Sequence, residues 1–288
     1  MIRPFEKQTA KNKFYNSNEP IELMPQTFLQ IKMNYKLILE SQYLTKRMSE
    51  MANKKLEIGF VYAGKTNETQ DEHQKKTTLT LEEIVIPTKQ KVTGVTFDFE
   101  NDVLKTYQDR LAEKDMQILG LGHSHNDMDV FHSSVDKDNY KSIIFFRGTS
   151  IEPYKKETVV KKKKEYTTIS KRLQKQVSHI CEKYVAKKYR RELIIPSLIF
   201  NTRGDIAQGL ARFNFKKHSV DEDIPIQYYN KQAILTDDDK LRLDRKIYEI
   251  LQYNNIPYEN KNPELPQQES IKEKYSKRIL REALPGFS

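Results

Sequence analysis

The chain has 288 residues, enough for one substantial core with appendages or two small domains, and its 31% charged and 37% hydrophobic content points to an extensive polar surface. Its formal net charge of +10 is concentrated between Lys155 and Arg191, where 14 Lys and Arg stand against three Glu, and the rest is near neutral. No run of about 18 apolar residues occurs to cross a bilayer, the start lacks a secretory apolar core, and the single Cys181 excludes intrachain disulfides, making a reducing cytoplasm the expected compartment.

In chain order, residues 1–21 are polar and form an expected arm. After Pro25, Phe28, Ile31, Tyr35, Ile38 and Leu39 recur at helical spacing and predict an opening helix. Residues 56–63 predict a strand carrying Glu57, residues 65–78 a polar connection, 79–87 a second strand and 92–99 a third. From Asn101 a helix is expected with Val103, Leu104, Tyr107 and Leu111 inward. Residues 116–125 predict a strand, and 133–142 a helix with Asp136 in its first turn. A short buried strand is expected over 143–146. Residues 193–200 and 206–215 then predict a hairpin about the turn at Gly204.

Between residues 146 and 193, Ile169, Leu173, Val177, Ile180 and Tyr184 follow the period of an amphipathic helix with a basic outer face, and Cys181 is a packing residue on it. After Lys216 helices are expected. Thr236 with Asp237, Asp238 and Asp239 gives a capping-box start for one running to about residue 254, with Leu243, Ile247, Ile250 and Leu251 inward. A linker over 257–266 and a last helix over 269–284 follow. Alternating strands and helices indicate a mixed α/β layer fold.

The chemistry concentrates in residues 123–136. His123 and His125 lie two apart, so on an extended chain both imidazoles project from one face and can meet at one ion. Asp136 supplies an oxygen. Two His and one carboxylate are the three-ligand set of a catalytic zinc site, which keeps a fourth position open. His132 falls outside the spacing and is expected to be exposed. Asp127 and Asp129 lack the glycine and terminal glutamate of a calcium loop.

The pattern His123, His125, Ser133, Asp136, with Glu57 ahead of Ile58-Gly59-Phe60-Val61, resembles the JAMM metalloprotease motif of the MPN domain family. That resemblance covers roughly residues 22–216. It implies an MPN (cytidine-deaminase-like) mixed sheet flanked by helices, with a basic helical insertion at about 152–192 and a helical C-terminal extension over 217–288. It further implies Zn2+ held by His123, His125 and Asp136, Glu57 as general base, and Ser133, rather than neighbouring Ser134, as donor to the developing oxyanion. Asn126 stands where the family commonly has proline.

The expected activity is that of a zinc isopeptidase cutting the amide after the C-terminus of ubiquitin or a ubiquitin-like protein, with substrate contacts from residues 65–78 and 126–132. Alternatives are hydrolysis in a sulfur-carrier or other conjugation pathway, a non-catalytic MPN scaffold, or a nucleic-acid-associated protein. Expected partners are the modifier conjugates, an acidic protein or nucleic acid at the basic insertion, where it would dock beside the active site, and assembly partners at the C-terminal helices, with no membrane.

Overall fold

The computed structural model describes residues 21–24, 27–100, 102–147, 149–152, 192–214 and 217–259. Residues 1–20 of the expected arm, the basic helix with Cys181 and the last helix over 269–284 lie outside the described residues, while Ile21, expected in the arm, opens a strand.

Strand β1 (Ile21–Met24) pairs with β2 (Thr27–Asn34), which leads into helix α1 (Tyr35–Ala52). A long hairpin follows, β3 (Gly59–Gln70) and β4 (Lys75–Val85), and then a small one, β5 (Gln90–Val92) and β6 (Phe97–Phe99). Next come α2 (Val103–Ala112), β7 (Gln117–Ser124), α3 (Ser134–Arg147), β8 (Thr149–Ile151), β9 (Glu192–Phe200) and β10 (Ile206–Asn214). Strands β11 (Lys217–Glu222) and β12 (Gln227–Tyr229) precede α4 (Asp237–Tyr253).

Among the described residues ten strands make one mixed sheet in the order β1, β2, β4, β3, β7, β9, β10, β11, with β12 beside β2 and β8 beside β9. The contacts β2 to β4, β7 to β9 and β12 to β2 are parallel and the others antiparallel. One core cluster joins the sheet to Leu37, Leu44 and Met48 of α1 and to Leu243, Ile247 and Ile250 of α4. A second joins it to Leu111 of α2 and to Tyr140 and Ile144 of α3. The molecule is thus an α/β layer structure with the sheet in the middle. Central β9 is covered on both faces and almost continuously buried, as such a position requires. Pro196 falls at the gap on one edge of β9 where β8 has ended and β7 has not begun, so it removes no bond from either ladder.

Several elements differ from expectation. Phe28 and Ile31 lie in β2, because Thr27, Leu29, Ile31 and Met33 alternate inward and pair with β4. The helix starts only after Asn34, whose side chain accepts a hydrogen bond from the Lys36 N–H at 3.1 Å. Residues 65–78 are the arm of the β3–β4 hairpin rather than a connection. Their Thr-rich backbone pairs although the outer part buries little, closed by an Asp71 side chain that accepts from His73 and Gln74 N–H groups at 2.7 Å. Residues 92–99 hold the end of β5, the turn and β6 of the small hairpin rather than one strand, and residues 143–146 continue α3. A short apolar run does not distinguish helix from strand, and the four-residue step from Tyr140 to Ile144 places both on the buried side.

The capping box of Thr236 and Asp239 is present, and Leu243, Ile247, Ile250 and Leu251 are buried. Beyond Lys216, however, the chain first supplies two strands to the sheet. It then returns α4 against α1, where Arg47 binds Asp244 at 3.1 Å and Lys36 binds Asp239 at 2.7 Å. Among the described residues no helix is long and apolar enough to cross a membrane.

Candidate metal centre

Strand β7 delivers His123 next to its end, and the His125 N–H donates to the Phe200 carbonyl at 2.7 Å, extending β7 along β9. Helix α3 begins where the loop from β7 closes. Ser133 caps it, accepting from the Asp136 N–H at 3.1 Å, while the Ser133 N–H donates to Asp136 Oδ2 at 2.9 Å. Ser-x-x-Asp is therefore also a capping box, and the cap aims the carboxylate at the two imidazoles. The Ser133 hydroxyl donates to the same Oδ2 at 2.7 Å.

His123 Nε2 and His125 Nε2 face each other at 3.1 Å. Asp136 Oδ1 lies 3.2 Å from the first and Oδ2 3.5 Å from the second. With ligand bonds near 2.0–2.1 Å, a tetrahedral zinc places its ligand atoms about 3.3 Å apart. The three groups therefore fit one divalent ion. The His125 Nδ1 lies 3.1 Å from the Asp129 carbonyl; donating there leaves Nε2 as the lone-pair nitrogen facing inward. Among the described residues His123 Nδ1 has no hydrogen-bond partner. Burial pushes the His123 pKa down despite Asp136. For His125, burial acts in the same direction but Asp136, the Asp129 carbonyl and Glu57 outweigh it, so its pKa rises. Burial opposes ionisation of Asp136, yet the two imidazoles and Ser133 hold it well below the usual carboxylate range.

Glu57 is 3% exposed, immediately before β3, where Gly59 pairs with His123. Burial raises its pKa to about 7, with His125 pulling down and Asp136 pushing up. It lies beside the three converging groups and is not one of them. A carboxyl poised near neutrality next to a metal-binding set can exchange a proton there.

The loop over 126–132 is tied at both ends. Asn126 has φ 49, a left-handed conformation closed to proline, whose ring fixes φ near −65°. Its side chain accepts from the Ser49 hydroxyl and donates to the Gly94 carbonyl, each at 3.1 Å, and its carbonyl accepts the Thr202 N–H at 2.6 Å. The backbone here excludes proline, and Asn is among the residues that tolerate the left-handed region. Asp127 pairs with Lys55 at 2.7 Å and Asp129 with Arg203 at 2.6 Å, so neither is offered to a cation.

Two placements correct the sequence reading. His132 is buried at 4% exposure rather than exposed, its ring laid over Gly209, where a Cβ would overlap it, and edge-on to Tyr140. Burial pushes its pKa down to about 4, so it stays neutral, and it is not among the converging ligands. The 65–78 arm starts beyond the Gly64 to Gln117 pair, at the end of β7 opposite His123 and about 20 Å away at strand rise, so it does not flank the site. The described base of the basic insertion, the Ile151 to Glu192 pair, lies at the far end of β9 from Ile199, the partner of His123, and the insertion itself lies outside the described residues.

Residues that the sequence did not single out surround Glu57. Ser124 accepts the Ile58 N–H at 2.9 Å, Thr93 accepts the Glu57 N–H at 2.7 Å, and the Gln90 amide bonds both backbone groups of Gly59. No protein-family model and no curated protein matches the chain. Among solved structures, the solution structure of a Desulfitobacterium hafniense protein is similar at a TM-score of 0.40 and 12% identity, over 70% of this chain and 94% of that one, a likeness too slight to carry an argument.

Proposed function

We propose that the protein is a zinc-dependent metallopeptidase of the JAMM type in an MPN-like fold, an isopeptidase for the amide after the C-terminus of ubiquitin or a ubiquitin-like modifier in the cytoplasm. The observation that carries the reading is the meeting of His123, His125 and Asp136 at 3.1–3.5 Å with buried Glu57 beside them. His123, His125 and Asp136 would hold the ion. When bound, it supplies Lewis acidity toward the amide carbonyl and acidifies the attacking water.

Glu57 takes the proton of that water and returns it to the departing amine, work suited to a carboxyl with a pKa near 7. Ser133 orients Asp136, and its hydroxyl donates to the oxyanion once it turns from Oδ2. Phe131, exposed and edge-on to the His125 ring, and Met128 give the site an apolar rim where a protein substrate can lie.

The test is cleavage of a panel of ubiquitin-like fusions and conjugates by zinc-loaded protein. Glu57→Gln should keep its zinc and lose at least about 10²-fold in turnover. A variant that cleaves at the wild-type rate removes Glu57 from the mechanism, and zinc-loaded wild type inert on every fusion contradicts the peptidase reading.

A further inference from the structure

The segment Glu57-Ile58-Gly59 carries the general base yet, among the described residues, has a full strand on one side only. Ile58 exchanges hydrogen bonds with Ser124 of β7, its N–H reaching Ser124 Oγ at 2.9 Å and its carbonyl taking the Ser124 N–H at 3.1 Å. The N–H and C=O of Gly59 point the other way. There β4 has already ended its pairing, at Val61 with Val85.

What fills that place is a side chain. Gln90 Oε1 accepts the Gly59 N–H at 2.8 Å and Nε2 donates to the Gly59 carbonyl at 2.9 Å, the two-bond exchange of an antiparallel neighbour made by one amide. The second Nε2 hydrogen goes to the Pro87 carbonyl at 2.6 Å, and Gln90 is wholly buried. Two residues earlier on the same edge, the Glu57 N–H donates to Thr93 of the β5–β6 turn at 2.7 Å.

The hairpin is itself held from behind. Asn254, after the last turn of α4, donates to the Gln90 carbonyl at 2.8 Å and accepts the Val92 N–H at 3.2 Å. A Cβ on Gly59 would overlap the Phe97 ring of β6, so hairpin and segment meet with no slack.

We propose that Gln90 is a positioning residue for Glu57: its amide replaces the missing strand beside Gly59 and fixes the carboxylate against the metal centre. The inference rests on the metallopeptidase reading above. It gives the β5–β6 hairpin a task in the reaction, since misplacement of a reacting group by about 1 Å can cost on the order of 10²-fold.

The test uses Gln90→Met, which keeps length and volume but lacks the amide, in the full zinc-loaded chain, on diubiquitin labelled across its isopeptide bond. Zinc content should stay at the wild-type level, KM within about twofold, and kcat should fall at least about tenfold. In a Glu57→Gln background the same change should lower the residual rate by less than about twofold, because a base already removed cannot be misplaced. Gln90→Glu, which still accepts the Gly59 N–H, should lie between Gln90→Met and wild type.

A folded, zinc-loaded Gln90→Met with wild-type kcat, or losses that multiply in full with Glu57→Gln, would overturn the inference. Should Gln90→Met not fold, Gln90→Glu decides, and a wild-type kcat there overturns it. The two levels separate cleanly. Inactive Glu57→Gln beside fully active Gln90→Met sinks the positioning role alone, while fully active Glu57→Gln, or wild type inert on diubiquitin and on every other fusion of the panel, sinks the base assignment and this inference with it.

Discussion

Ser133 has one hydroxyl proton, and it is donated to Asp136 at 2.7 Å while the same oxygen accepts the Asp136 N–H. Its first task is therefore to hold a ligand, with any oxyanion contact added when that proton turns. Ser133→Ala should weaken zinc binding by about 10–100-fold, the usual effect of losing a partner behind a metal ligand, and slow turnover on the order of 10²-fold. Chelator competition and turnover at saturating zinc separate the two. Normal affinity would refute the holding role, and a wild-type rate at saturation would leave holding as the only role. His123, His125, Ser133 and Asp136 were legible in the sequence because they are close in the chain, where local geometry fixes their relation. Gln90, Thr93 and Ser124 were not, because each acts through backbone groups distant in sequence. His132 was misjudged for a related reason: its burial depends on the missing side chain of Gly209 in another strand.

Among the elements, α4 was the most legible, since its start is a local signal and its four inward residues keep helical spacing. The outer β3–β4 hairpin was not, because its exposed residues carry no apolar alternation and pairing rests on the backbone and on Lys75 with Glu68 at 2.9 Å. Asp239 joins local and distant roles, closing the capping box and binding Lys36 of α1. Burial would raise its pKa, but Lys36 and Thr236 lower it from 3.8 to about 2. A folded pKa below the unfolded one adds stability that is present above pH of about 4 and is lost as pH falls toward about 2. Asp239→Asn should therefore destabilise the fold at pH 7 and progressively less as the pH drops through that window, as read by urea unfolding. A penalty independent of pH would mean that the carboxylate charge contributes nothing.

At the scale of the molecule, one sheet binds the first described strand to the region after Lys216. Strand β11 continues the sheet beside β10, β12 lies beside β2, and Leu243, Ile247, Ile250 and Leu251 of α4 share a core with α1. A chain ending at residue 216 exposes that apolar face and loses the Asn254 support of β5. It should fail to give a cooperative thermal transition, whereas a cooperative one would show that residues 217–259 are dispensable. The α/β class was legible from alternating segments. The two strands beyond Lys216 were not: β11 is polar and without apolar alternation although it pairs with neighbouring β10, and β12 is three residues long with its partner β2 distant in sequence. The central claim is that His123, His125 and Asp136 form a zinc site, and elemental mass spectrometry of the purified wild type beside Asp136→Ala addresses it most directly. About one zinc per chain in the wild type and its loss from a folded variant is the expected result; no zinc in folded wild type after reloading, or equal zinc in both, would contradict it.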